Sequence, residues 1–225
     1  MRAAIDAALG VISAAGAAQP HPGILVSYSG GKDSLAVLDL CAQVVQPPAL
    51  RAFFMYFLPG AAAYEPWLEF ARRRYGVEIT QYPHPALAAC IRKAIYCDPI
   101  AALDDLPDLR ERHVYAAARA DAGIDVIATG RRRADSVLRR GRFARRADPR
   151  VVAPIAGWNR YEVAAYLRGR AIPMPEAAGR DGKGLDLRAS SLFWLHDRCP
   201  ADFARLCEYF PYAQAVIERR KRFGA

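Results

Sequence analysis

The chain has 225 residues, 53% hydrophobic and 24% charged, a balance that suits one domain with a short appendage and excludes wholesale disorder. Thirty-two basic against 23 acidic residues give a net charge of +9. Only Lys32, Lys93, Lys183 and Lys221 are lysine, so the basic charge is carried almost entirely by arginine, whose planar fork suits phosphate and carboxylate.

No stretch has the apolar length of a membrane span. The opening MRAAIDAALGVISAAGAAQ is interrupted by Asp6, and Ala3, Ala4, Ala7, Ala8 and Val11 fit one helical face, so residues 1–20 read as a helix and not as a leader. Five cysteines (Cys41, Cys90, Cys97, Cys199, Cys207) are odd in number and contain no CxxC, which argues against a disulfide framework or a zinc site. The expectation is a reduced, cytoplasmic protein.

From residue 23 the pattern alternates. Gly23–Tyr28 reads as a strand, Ser29-Gly30-Gly31 as a tight turn, and Leu35–Val45 as a helix stopped by Pro47-Pro48. Leu50–Leu58 is a second strand, Tyr64–Tyr75 a helix ended by Gly76, and Val77–Thr80 a third strand. Leu109–Ala122 is a helix closed by Gly123, and Asp125–Thr129 a further strand. Strands alternating with helices predict an α/β fold with a doubly wound, mostly parallel sheet. Asn159-Arg160-Tyr161-Glu162 has the form of a capping box opening a helix that Gly169 closes. Gly179–Gly184 reads as a glycine loop able to close over substrate. Ser190/Ser191 and Pro200 start helices over Leu192–His196 and Ala201–Tyr209. The expected organisation is a nucleotide-binding α/β domain over residues 1–175, with residues 176–225 a helical extension packed on it.

The chemistry starts at Ser27-Tyr28-Ser29-Gly30-Gly31-Lys32-Asp33-Ser34. Glycines let the backbone turn sharply and approach a ligand, and the amides of the following helical turn face a phosphate. Ser29 and Ser34 add hydroxyls, and Lys32 a charge. The spacing before the lysine is too short for the GxxxxGK[ST] loop.

SGGKDS between a strand and a helix resembles the pyrophosphate loop of the adenine nucleotide alpha-hydrolase-like superfamily, and within it the phosphoadenylyl-sulfate (PAPS) reductase family. Thr129-Gly130-Arg131-Arg132-Arg133-Ala134-Asp135-Ser136 is similar to that family's G-x-R-x-x-[DE]-S motif. Pro154-Ile155-Ala156-Gly157-Trp158, a capped helix and Ile172-Pro173 are similar to its P-x-x-x-W…I-P segment. The resemblance runs from about Gly23 to Pro175. It implies a Rossmann-like fold whose sheet edge holds ATP or a PAPS-like nucleotide. Ser27, Ser29, Gly30, Gly31, Lys32, Asp33, Ser34, Gly130, Arg131, Arg133, Ser136 and Arg139 are the residues expected at that nucleotide. Lys32 and Asp33 would serve the reaction, and Asp33 would hold Mg²⁺, its other role being a favourable first-turn charge on the helix dipole.

One departure is informative. Reductases of this family carry a catalytic cysteine in a Glu-Cys-Gly-x-His tail, whereas this sequence reads Glu218-Arg219-Arg220-Lys221-Arg222-Phe223-Gly224-Ala225. The paired cysteines that hold an iron–sulfur cluster in some reductases are missing too. Cys199 and Cys207 lie beside Phe203, Leu206 and Phe210 and read as core residues. What the superfamily resemblance then implies is an ATP pyrophosphatase that adenylates an unidentified acceptor, a nucleic acid or nucleotide among the candidates, in a transferase-type reaction without iron–sulfur cluster or zinc. A sulfonucleotide reductase or sulfurylase relative, and a nucleotide-binding accessory protein without turnover, are the alternatives. The tail Leu192–Ala213 is similar to short family members from phage and prophage regions.

Between residues 131 and 150 nine arginines face two aspartates, an excess of seven positive charges. Two uses stay open. Arg131 or Arg133 with Arg139 would reach the phosphates of a nucleotide, and Arg142, Arg145 and Arg146 would track a nucleic-acid backbone. His84 and His196 lack metal spacing and read as structural, as does Trp158 beneath the site edge.

Overall fold

The computed structural model describes residues 1–17, 23–100, 108–133, 148–174 and 185–224. Ile24–Ser27 (β1) is a short strand whose first three side chains are buried, as a central parallel strand covered on both faces requires. It pairs in parallel with Leu50–Tyr56 (β2), Ile24 opposite Leu50. On its other side it pairs in parallel with Ile127–Thr129 (β4), Val26 opposite Ala128. Ile79–Pro83 (β3) lies outside β2, and Val151–Val152 (β5) lies beside β4, giving the order β3-β2-β1-β4-β5. The chain therefore winds outward from β1 to β3 and then returns to lay β4 against β1. That reversal is a topological switch point at the carboxyl ends of β1 and β4, the place where open α/β sheets commonly hold ligands. The expected doubly wound parallel α/β fold is the one found.

Several element ends move. β3 begins two residues later than the sequence suggests and runs on through Gln81, Tyr82 and Pro83, because an edge strand needs a ladder on one side only. β2 ends at Tyr56. Phe57 and Leu58, read as strand residues, enter a separate core instead. The helix after β1 starts at Lys32, not Leu35, and spans Lys32–Ala42 (α2). Among the described residues, two helices, Pro85–Arg92 (α4) and Gln214–Phe223 (α9), and β5 escape sequence reading.

By Cα clustering the chain divides into two units. The first comprises Met1–Phe54, Trp67–Gln81 and Tyr115–Pro175. In it Arg2–Ala17 (α1) buries Ala8, Ile12 and Gly16, an i, i+4 stripe. Val11, expected on the buried face, is exposed, because that face is set by contact with Ile24 at Gly16. α2 contacts β1, β4, α1 and Arg160–Gly169 (α6). Glu65–Tyr75 (α3) places Glu65 in its first turn and Arg72, Arg73 and Arg74 in its last, matching the helix dipole. Glu111–Ala122 (α5) supplies Tyr115, which packs edge-on against Phe53 with ring centroids 5.7 Å apart.

The capping box of α6 is present as read: Asn159 Oδ1 accepts from the backbone N–H of Tyr161 and Glu162, and Glu162 accepts from that of Asn159. Gly169 does not close the helix in the left-handed region. That conformation falls to Ala171 at φ 52°, where it is held because Ile172 is buried and its N–H reaches Leu167.

The second unit comprises Met55–Pro66, Tyr82–Val114 and Glu176–Ala225. Phe57, Leu58, Leu192, Leu195, Phe203, Leu206, Phe210 and Ile217 form its core, with Phe57 stacked on Phe210. The expected tail helices are present, as Ala189–Arg198 (α7) and Pro200–Tyr209 (α8). Ser190 and Ser191 lie inside α7 and do not cap it; Ser191 is buried. The buried carboxylate of Asp202 accepts from the N–H groups of Ala62 (3.0 Å) and Ala63 (2.8 Å), satisfying two donors that open a 3₁₀ turn at Ala62–Tyr64.

α4 is capped by His84, whose Nδ1 accepts from the Ala86 N–H at 3.0 Å, with Pro85 following as a pre-shaped first residue. Burial holds the His84 imidazole below its ordinary pKa, partly offset by Glu111. The neutral ring thus belongs to the folded state, whereas the unfolded chain takes up a proton below about pH 6.5. Stability is expected to fall as pH drops below that value. In His84→Asn, which keeps a cap acceptor, this loss should flatten; urea unfolding at pH 7.5 and pH 5.5 measures it.

Candidate functional site

The turn after β1 is built by hydrogen bonds that its sequence supplies locally. Gly30 has φ +71°, a left-handed conformation that explains a glycine at this position. The Ser34 hydroxyl, buried in the first turn of α2, accepts from the Ser29 N–H and donates to the Gly31 carbonyl, both at 3.0 Å. The Ser29 hydroxyl lies 3.0 Å from it. Of the two serines expected to face a ligand, Ser34 is thus turned inward as the pin of the loop, and Ser29 is exposed. Tyr28 is buried and donates its hydroxyl to the Trp67 carbonyl at 3.0 Å.

Gly31 occupies the N-cap of α2 in an extended conformation and offers no side-chain acceptor. The opening amides of α2 therefore carry partial positive charge without a capping oxygen, at the carboxyl edge of the sheet. Lys32 Nζ donates to Asp33 Oδ2 at 3.1 Å, and Arg132 Nε lies 3.2 Å from Asp33 Oδ1. One carboxylate thus stands between two cations, leaving a net positive cluster beside the uncapped turn.

The exit of β4 meets that turn directly. A Cβ on Gly130 would lie 2.7 Å from the Ser34 nitrogen and 2.8 Å from the Asp33 carbonyl carbon. Only glycine lets the two backbones come this close. Beyond it Arg131 is half-buried, Arg132 is buried, and Arg133 is exposed with its N–H donating to the Ala156 carbonyl at 2.8 Å. Arg132 was missed in the sequence, although counting G-x-R from Gly130 lands on it. Ser27 ends β1, and Ser136, Arg139, Arg142, Arg145, Arg146 and the Gly179–Gly184 loop lie outside the described residues. Arg150 is described, and its charge is committed to Asp148 and Asp125.

The 154–158 segment closes the same edge. Ile155 and Trp158 are buried, and the Trp158 ring meets Tyr166 edge-on at 5.3 Å. Tyr166 leads to a residue that sequence reading overlooked. Asp39, buried in α2, accepts from the Tyr166 hydroxyl (2.5 Å), Arg170 Nε (2.9 Å), Gln43 Nε2 (3.3 Å) and the Tyr75 hydroxyl (3.3 Å).

Asp33 is a poor fit for Mg²⁺ as it stands, since both its oxygens face cations. Among the described residues no group of three or more His, Cys, Asp or Glu side chains is placed to hold a metal ion. Nor is any helix among them long and apolar enough to cross a membrane.

The family model of the phosphoadenosine phosphosulfate reductase domain matches residues 23–177, more than two thirds of the chain. No match was found among curated proteins. Three solved structures share the fold. The phosphoadenylyl-sulfate reductase of Candida auris, in a phosphate complex, is 18% identical, with TM-score 0.50 over 76% of this chain and 82% of that one. The NH3-dependent NAD synthetase of Campylobacter jejuni is 11% identical, with TM-score 0.55 over 100% and 96%. The FMN adenylyltransferase of Candida glabrata, in complex with ATP, is 17% identical, with TM-score 0.52 over 78% of this chain and only 58% of that one.

Gly130→Ala is expected to push β4 and α2 apart and lower stability by more than about 2 kcal/mol, because backbone and not a movable side chain blocks the new methyl. Thermal or urea denaturation measures the loss. Gly157→Ala, whose Cβ would meet nothing within 4 Å, is the matched substitution and should change stability little.

Proposed function

Because the chain belongs to the phosphoadenosine phosphosulfate reductase domain family, we propose that it binds ATP or a close adenylyl nucleotide at the Ser29–Ser34 loop. It would then transfer the adenylyl group to an acceptor and release pyrophosphate. The observation that carries this reading is the uncapped first turn of α2, flanked by Lys32 and Arg132 and abutted by Gly130. A phosphate chain supplies the acceptor oxygens that Gly31 withholds, and the two cations offset charge building on the departing pyrophosphate. Asp33 orients both cations.

Thiol chemistry is disfavoured on physical grounds. Burial raises the pKa of all five cysteines, with Asp186 adding to the effect at Cys90, Asp98 at Cys97 and Asp202 at Cys199. A protonated thiol is a poor nucleophile, and burial, joined at Cys199 by the Asp202 carboxylate, holds both tail thiols in that form. These environments favour adenylyl transfer over the sulfonucleotide reductase alternative. A polyanionic acceptor, a nucleic acid or nucleotide, matches the arginine excess of residues 131–150.

Lys32→Ala combined with Ser29→Ala should weaken ATP binding by about 2–4 kcal/mol, the sum of one charge-assisted and one neutral contact. Unchanged affinity in calorimetry would remove the loop from the site. Replacing all five cysteines by alanine or serine should leave ATP-dependent pyrophosphate release intact in folded protein. Sulfite release from PAPS, lost with a single cysteine, would overturn the adenylyl-transfer reading. If Arg142, Arg145 and Arg146 contact duplex phosphates, their alanine variant should flatten the log–log salt dependence of duplex binding by roughly three units. Filter binding at several salt concentrations reads that slope.

A further inference from the structure

Resting on the nucleotide reading above, we infer that Asp39 is a positioning residue: with Tyr166 it completes a ring of contacts that fixes the phosphate-facing loop against the Gly130–Trp158 edge. The ring can be followed atom by atom within the first unit. Asp33 faces Arg132 at 3.2 Å. The next residue, Arg133, donates its N–H to the Ala156 carbonyl at 2.8 Å. The Trp158 N–H donates to the Ile155 carbonyl at 2.9 Å, and its ring packs on Tyr166. Tyr166 donates its hydroxyl to Asp39 at 2.5 Å, and α2 runs from Asp39 back to Asp33.

Three features make Asp39 more than a buried polar residue. Its carboxylate is buried, so folding replaces its water partners with protein donors, and leaving an oxygen without one is costly. Its donors come from three helices and their ends: Gln43 caps the end of α2, Tyr75 ends α3, Tyr166 lies in α6 and Arg170 caps it. The two helices it joins most tightly, α2 and α6, each begin at the candidate site, α2 at Lys32 and α6 just after Trp158. A shift at this far joint is therefore carried along two rigid helices to the two walls of one crevice. The adjoining groove of about 340 Å³, lined by Asp39, Gln43, Gln46, Arg74, Tyr75 and Arg170, is where water would enter if the joint opened.

The test compares three variants. Asp39→Asn keeps the shape and removes the charge. Tyr166→Phe is milder: it removes one hydroxyl and leaves the ring against Trp158. Ile12→Val removes a buried methyl in α1 outside the ring and serves as a destabilised reference. Amide hydrogen exchange is followed at residues 28–34 and 130–133, well below each unfolding midpoint, and ATP affinity is measured by calorimetry. Both ring variants should speed exchange in both segments and weaken ATP by between about twofold and thirtyfold, the span of mutations that change coupling between sites. Ile12→Val should do neither. Unchanged exchange in Tyr166→Phe and Asp39→Asn, or equal acceleration in Ile12→Val, overturns the positioning role. Exchange responds with or without nucleotide. A parent protein that binds no ATP would thus overturn the nucleotide reading while the exchange comparison still decides the ring.

Discussion

Two backbones meet at the switch point of this sheet with no side chain between them, and the other features of the site follow from that approach. Because residue 130 has no Cβ, the exit of β4 lies against the Asp33–Ser34 peptide, the first turn of α2. From there a span of two residues is enough for Arg132 to face Asp33, and one more brings the Arg133 N–H to Ala156. A larger residue at 130 would move both arginines and the 154–158 segment together. Close packing makes the site a single rigid assembly, and such assemblies respond to displacement in steps and not by gradual bending.

The parts of this arrangement that could be read in the sequence are those whose physics is local. The strand–Ser29-Gly30-Gly31–helix unit and the Asn159/Glu162 capping box each depend on residues within a few positions of one another. Alternation of strands and helices likewise led to the parallel sheet. What remained hidden depends on distant partners. Arg132 stands in a row of three arginines whose types do not distinguish them, and only its spacing from Gly130 marks it in the sequence; in the fold it is the buried one, facing Asp33. Asp39 reads as an ordinary polar residue on a helix, since its donors Tyr75, Tyr166 and Arg170 are 36, 127 and 131 residues away. The left-handed turn at Ala171 went unread for the same reason. Gly169 carries the local signal for a helix stop, but the burial of Ile172 decides where the chain turns.

In the second unit the same economy of polar groups recurs with a different result. Asp202 closes two backbone donors inside an aromatic and aliphatic core, while Cys90, Cys97, Cys199 and Cys207 pack against that core and titrate upward. Sulfur here behaves as a small apolar group. A chain of this family can therefore keep cysteines while giving them a packing role, and their number carries little information about redox chemistry.

The Ser29–Ser34 pairing has a kinetic corollary. With the Ser34 hydroxyl donating to Gly31 and receiving the Ser29 amide, the turn holds its shape through its own hydrogen bonds. Ordering a backbone residue costs about 1–2 kcal/mol, and here that entropy is lost when the chain folds, before any anion arrives. On the proposed nucleotide reading, an incoming phosphate would meet amides already aimed, so capture would require no search among loop conformations. The encounter rate would then depend on diffusion and on the positive field around Lys32, and would fall with ionic strength as electrostatic steering does.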